Sequence, residues 1–178
     1  MANIKDQKVY IYLIDDDELH LKILQGKFES STTYELKAFQ SGETFLDFIL
    51  KNPIPKNVIP IVILDYFLRS KENEEAKNGV EILKLLKNIN PNIEVIMLSA
   101  MDDVDIATAA MHYGAVTFVK KNENSFTRLN SNIQWIISQK DFESKKKRHK
   151  RSRIYFVIVL SILLLLTVLF FLPDLLKK

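Results

Sequence analysis

The chain switches repeatedly between two hydrophobic periods, and this alternation limits its possible folds more than any other feature. Short apolar runs rich in β-branched and aromatic residues recur at "VYIYLI" (9–14), "YELKAF" (34–39), "IVIL" (61–64), "IEVIML" (93–98) and "VTFV" (116–119). Their length and composition are those of strands. Between them the apolar positions repeat at helical spacing. Leu21, Leu24 and Phe28 share one face, Ile82, Leu85, Leu86 and Ile89 a second, and Ala107, Ala110 and Met111 a third. Phe126, Leu129, Ile133 and Ile136 open a last helix directed toward a basic segment. Ser41, before "GETFLDFIL", is a candidate N-cap, and "NPIPKNVIP" (52–60) reads as a loop ahead of the third strand. Five β–α units in succession predict an α/β fold, a doubly wound five-stranded parallel sheet with helices on both faces.

In such sheets ligands bind beyond the carboxyl ends of the strands. The first strand runs into Asp15, Asp16 and Asp17, and the third ends at Asp65. The fourth ends at Ser99, and the fifth at Lys120 and Lys121. Adjacent carboxylates at a partly buried strand end repel one another, so a positive group is expected among them. A strand-end pair of acids with a third carboxylate makes a hard, all-oxygen site that suits Mg²⁺. A phosphoryl group between such a cation, an ammonium and a hydroxyl would have its oxygens neutralised or hydrogen-bonded, as phosphoryl transfer requires.

The set "LIDDDE … VILDYFL … MLSAMDD … GAVTFVKK" resembles the receiver domain of two-component response regulators over roughly residues 7–140. The resemblance implies a flavodoxin-like receiver fold, with Asp65 as the phosphorylated aspartate. It further implies Asp15, Asp16, Asp65 and the backbone carbonyl of Phe67 as Mg²⁺ ligands, Asp16 directly. Ser99 is then the hydroxyl that bonds the phosphoryl group, Phe118 the switch aromatic, and Asp65, Ser99 and Lys121 the catalytic set. Counting from Phe118 and from Gly114 both select Lys121, with Lys120 the runner-up. The implied partners are a sensor histidine kinase or phosphotransfer protein and an unidentified downstream protein. No turnover is implied beyond the domain's own phosphorylation and dephosphorylation.

Two features depart from that pattern. Asn122 stands where a cis-linked Pro usually follows the Lys. A cis bond before a non-proline costs roughly 2.5–4 kcal/mol, so a trans bond is expected. The polar segment "RSKENEEAKN" (69–78) is longer than usual; it reads as a solvated insertion, with screening of the phosphorylation site or contact with a partner as the alternatives. His20 and His112 have no second ligand at metal spacing and read as surface residues, and Trp135 as core or interface packing. A receiver fold used only for docking, without switching, is the competing functional reading. Asn122 favours it, and the complete acid set with Ser99 and Lys121 opposes it.

Residues 154–172, "IYFVIVLSILLLLTVLFFL", carry no charge. As a helix they would extend about 28 Å, close to the hydrocarbon thickness of a bilayer. The run "KKKRHKRSR" (145–153) precedes them with seven Lys/Arg. The expected organisation is a receiver domain at 1–140, a basic juxtamembrane linker at 141–153, a transmembrane helix at 154–172 and a short non-cytoplasmic tail at 173–178. The basic flank predicts a single-pass membrane protein with its receiver in the cytoplasm. Next to such a span the basic run is not expected to bind nucleic acid. The overall charge of +3 hides this asymmetry. Residues 145–178 hold nine Lys/Arg and one acid, whereas 1–144 hold 16 bases and 21 acids. "VYIYLI" is too short for the core of a signal peptide, and with no cysteines there is neither a disulfide framework nor a thiolate metal site.

Overall fold

The computed structural model describes residues 8–29, 34–55, 57–68 and 76–175, the side chains of 147–152 and 164–175 excepted. The elements alternate as β1 (Lys8–Ile14), α1 (Glu18–Glu29), β2 (Tyr34–Phe39), α2 (Gly42–Lys51), β3 (Val58–Asp65), α3 (Gly79–Ile89), β4 (Glu94–Ser99), α4 (Val104–His112), β5 (Thr117–Lys120) and α5 (Ser125–Leu175). All strand pairs are parallel, in the order β2-β1-β3-β4-β5. The α/β architecture expected from the two alternating periods is present, with the reversal of strand order at β1 and β3.

Period-two alternation sorts the strand side chains between two cores. Val9, Ile11 and Leu13 face Leu21, Leu24 and Phe28 of α1 and Leu129, Ile133 and Ile136 of α5. Tyr12, Ile14, Val62 and Leu64 face the opposite way, toward Phe45, Ile82, Leu83 and Leu86 of α2 and α3 and Ala110 of α4. β3, central and flanked on both sides for most of its length, is buried at every residue.

The helices start as their sequences direct. The Ser41 hydroxyl accepts the Thr44 N–H, and Asn78 with Glu81 closes a full capping box at α3. Gly114, at φ +94°, turns the chain after α4, a conformation that costs glycine least.

Two expectations need correction. β3 begins at Val58, so Val58, Ile59 and Pro60 belong to a strand and not to a loop. Pro60 pairs with Tyr10 of β1, but pairing with β4 begins only at Ile61, so its missing N–H lies where β3 is flanked on one side. Leu85, Ile89 and Met111 are exposed, because the buried stripe of α3 runs through Val80, Ile82, Leu83 and Leu86 and that of α4 through Ala110. Of the two packing roles expected for Trp135, its exposure excludes the core and leaves the interface.

The chain divides into two compact units, Met1–Ile137 and Ser138–Lys178. The stretch 141–153, expected as a linker, is helical backbone within α5. Among the described residues no helix is long and apolar enough to cross a membrane. Residues 164–172 of the expected span lie outside those whose side chains are described, and the ten that remain, 154–163, would extend only about 15 Å.

Candidate functional site

Parallel strands place their carboxyl ends along one edge of the sheet, and four of the singled-out residues meet there. Asp15 follows the last residue of β1, Asp65 closes β3, Ser99 closes β4 and Lys121 follows β5. Asp15, Asp65 and Ser99 are the buried polar residues of the described chain. Asp15, Asp16 and Asp65 each present an oxygen within 4.8 Å of the other two. The Lys121 ammonium bridges the inner pair, at 2.7 Å from Asp15 Oδ2 and 2.8 Å from Asp65 Oδ2. Lys120 turns the other way and meets Asp102 at 3.0 Å on the surface. Alternation along β5 explains the division, since adjacent residues project to opposite sides. The Lys121 N–H also bonds the Ser99 carbonyl at 2.7 Å, which ties the end of β5 to the end of β4.

The peptide bonds of the described residues are all trans, including the one before Asn122. The Asn122 side chain accepts the Asn124 N–H at 3.0 Å and its carbonyl accepts the Ser125 N–H at 3.0 Å. Lys121 thus reaches the acids from a turn built without proline.

The three acids of "DDD" have separate surroundings. Asp15 Oδ1 accepts the Asp17 N–H at 3.0 Å, while Oδ2 takes both Lys121 and His20 Nδ1, the latter at 2.6 Å. Asp16 is half-buried beside them. Asp17 faces away and caps α1, its Oδ1 accepting the N–H groups of Leu19 and His20 at 2.9 and 3.1 Å. His20, expected on the surface, is only 21% exposed at its side chain. Its contact spans the turn from β1 into α1, and neither the strand period nor the helix period carries a signal for it.

Charge is distributed unequally over the cluster. Burial alone would raise the Asp15 carboxyl, but the His20 hydrogen bond and the charge and hydrogen bond of Lys121 outweigh it and hold the group below its ordinary value. At Asp65 burial and then the Asp15 charge dominate; Lys121 offsets them only in part, and the carboxyl is pushed up to about 7. Burial and Asp15 also raise Asp16. Burial would lower Lys121, but Asp65 and Asp15 outweigh it, so the ammonium stays charged.

Asp65 Oδ1 is buried and, among the described residues, has no hydrogen-bond partner. An orphaned carboxylate oxygen in a low-dielectric site is costly unless something fills the place beside it. With Asp15 and Asp16 at hand, the donor set is oxygen-only and rich in negative charge, which fits a small divalent cation. Ser99 Oγ accepts the Met101 N–H at 3.1 Å, leaving the hydroxyl proton for another acceptor. Phe67 follows Asp65 by two residues, with its ring exposed and edge-on to Tyr66. Phe118 is half-buried against the α2–α3–α4 core and lines a groove of about 540 Å³ with Asp102, Val104, Ala107 and Met111.

The backbone beneath Asp65 leaves no room for change. α3 starts so close to β3 that a Cβ on Gly79 would meet the Asp65 carbonyl oxygen at 2.2 Å. The Gly79 N–H bonds the Tyr66 carbonyl at 2.8 Å at the same crossing.

A family model described as the response regulator receiver domain matches residues 11–134. The transcriptional regulatory protein ZraR of Klebsiella oxytoca is 30% identical over 115 residues, 65% of this chain and 23% of that protein. The response regulator protein TodT of Pseudomonas putida is 27% identical over 121 residues, 68% of this chain and 48% of that protein. Sporulation initiation phosphotransferase F of Bacillus subtilis is 28% identical over 109 residues, 61% of this chain and 79% of that protein. The chain therefore spans less than half the length of the first two. Among solved structures, a CheY-like receiver domain protein from Methanospirillum hungatei superposes with a TM-score of 0.64 at 18% identity, covering 76% of this chain and 98% of that one. The beryllofluoride-activated DrrB receiver domain superposes at 0.59 with 24% identity, covering 74% and 98%. At these identities the superpositions speak for the fold.

Proposed function

The chain belongs to the response regulator receiver domain family, and on that premise we propose that it accepts a phosphoryl group on Asp65 and signals through protein contact. The observation that carries this reading is the buried Oδ1 of Asp65, unpartnered among the described residues, on a carboxylate whose Oδ2 is already held by Lys121. The donor is a phosphohistidine of a sensor kinase or phosphotransfer protein. Asp65 attacks phosphorus, the O–P bond of an acyl phosphate forms, and the N–P bond breaks. The donor imidazole keeps the electron pair and takes up a proton. Lys121 neutralises charge on the transferred group, and Ser99 supplies a hydroxyl donor at the same edge. A divalent cation held by Asp15, Asp16, Asp65 and the Phe67 carbonyl, of which Mg²⁺ is the fitting choice, would supply further neutralisation when bound.

Phosphorylation is read through the Ser99 and Phe118 region and the groove beside α4. Downstream output is binding of another protein, or withdrawal of phosphoryl groups from other receivers. We assign the chain no turnover of an external substrate. The apolar, uncharged sequence of 154–172 after a basic run supports anchoring in a membrane, with the receiver on the cytoplasmic side.

The deciding experiment treats the full-length chain with a small phosphodonor and Mg²⁺ and weighs it by mass spectrometry. One phosphoryl group should be added, and Asp65→Asn should not acquire it. A label that persists in the variant removes Asp65 as acceptor. No label on the wild type favours a docking scaffold.

A further inference from the structure

His20 has no part in the phosphoryl transfer proposed for Asp65, yet it makes one of the shortest side-chain contacts at the site. Its Nδ1 lies 2.6 Å from Asp15 Oδ2, against a carboxylate whose side chain is 3% exposed. Asp15 has the Lys121 ammonium on Oδ2 and the Asp17 N–H on Oδ1, which favour the acceptor-only carboxylate, so Nδ1 carries the proton and donates. Asp15 Oδ1 is meanwhile held by the Asp17 N–H. Hydrogen bonds on both oxygens fix the rotation of this carboxylate, and with it the direction of the lone pairs left for a ligand.

Lys121 alone would be a poor guardian of that orientation. Its ammonium is shared with Asp65 at 2.8 Å, and in the proposed chemistry it turns to the incoming phosphoryl oxygens. His20 contacts Asp15 and, among the described hydrogen bonds and ion pairs of its side chain, no other group of the cluster. It therefore holds Asp15 in place whichever way Lys121 is engaged.

We infer that His20 is a positioning residue of the divalent-cation site: its Nδ1–H orients the Asp15 carboxylate toward the ion. This rests on the proposed cation site and adds to it a residue outside the acid cluster. Partners of this kind, bonded to a ligand and not to the metal, change metal affinity by about 10- to 100-fold when removed.

The test uses the full-length chain with Mn²⁺ as the probe, its free concentration followed by electron paramagnetic resonance, and melting in chelator as an independent readout. His20→Ala should weaken Mn²⁺ binding by about 10- to 100-fold. His20→Asn, whose amide nitrogen lies near the place of Nδ1, should restore most of the affinity. His20→Leu, which fills the volume without a donor, replaces the Ala variant if that one does not fold, and should be as weak. Wild-type affinity in His20→Ala or His20→Leu overturns the inference, even if melting in chelator falls, because a purely structural role predicts that pattern. An Asn variant as weak as Ala overturns it too. A wild-type chain that binds no Mn²⁺ removes the cation site itself, a result distinguishable from loss of binding confined to the variants.

Discussion

Asp65 and Asp15 face one another with opposite balances, and the difference is measurable through pH. The Asp65 carboxyl is pushed up to about 7 by burial and Asp15, against an ordinary value of 3.8 in the unfolded chain. Over that window the folded state keeps a proton that the unfolded state has released, so stability is lost as pH rises from about 4 to 7. Asp65→Asn abolishes this dependence. In chelator its melting temperature should rise above that of the wild type progressively across the window and run parallel beyond it. The gap corresponds to a few kcal/mol, of the order that the shift implies. Parallel curves from pH 4 upward would contradict the unequal charge distribution of the cluster. Asp17 gives the contrasting case, because its carboxylate serves the first turn of α1 and not the cluster. Asp17→Ala should lower stability by about 1 kcal/mol in urea unfolding, the ordinary cost of a lost N-cap. The gain in stability on adding Mg²⁺ should equal that of the wild type, and a reduced gain would place Asp17 in the proposed cation site.

At the level of elements, the crossing of β3 and α3 allows the least change. Gly79→Ala would drive a methyl into the Asp65 carbonyl oxygen, with neighbouring backbone atoms at 2.9 and 3.0 Å, so the strand end or the helix must move. A loss of roughly 2–4 kcal/mol in urea unfolding is expected, with slower phosphorylation of Asp65. A methyl on Gly26, within α1, would meet no atom within 4 Å, and Gly26→Ala should instead stabilise by about 0.5–1 kcal/mol through helix propensity. Equal effects from the two glycines would refute this difference in packing. The strands and the acid-bearing strand ends were legible in the sequence because each is a local pattern, a run of a given period and the residue that ends it. The buried sides of α3 and α4 were less so. Leu85, Ile89 and Met111 fit a helical stripe as well as their buried neighbours do, and only the position of the sheet decides between them. His20 was hidden for a related reason: its partner is five residues away across a change of element, a separation that neither period connects.

For the whole molecule, the uneven distribution of charge and apolarity along the chain leads to a prediction about location. The protein should fractionate with membranes, and deletion of residues 154–178 should release it; sedimentation of the shortened chain after a high-salt wash would point to another anchor. The sequence offers this reading through composition alone, whereas the parallel sheet brings together acids 50 residues apart that composition cannot pair. The chain is also held firmly on either side of the polar insertion. Leu68 and Ala76 are both buried, the Lys77 N–H bonds Glu43 at 3.1 Å, and the capping box of Asn78 fixes the start of α3. The described residues on either side, up to Leu68 and from Ala76, are anchored by contacts of their own, so the length of the bridge between them, 69–75, is predicted to be uncoupled from the chemistry beside it. Doubling that segment with Gly and Ser should lower stability by only about 0.6 kcal/mol and leave the phosphorylation of Asp65 at its wild-type rate. A fluorophore or a recognition peptide could then be grafted within a few residues of the proposed acceptor, and a slower graft would show that the bridge itself takes part in the proposed reaction.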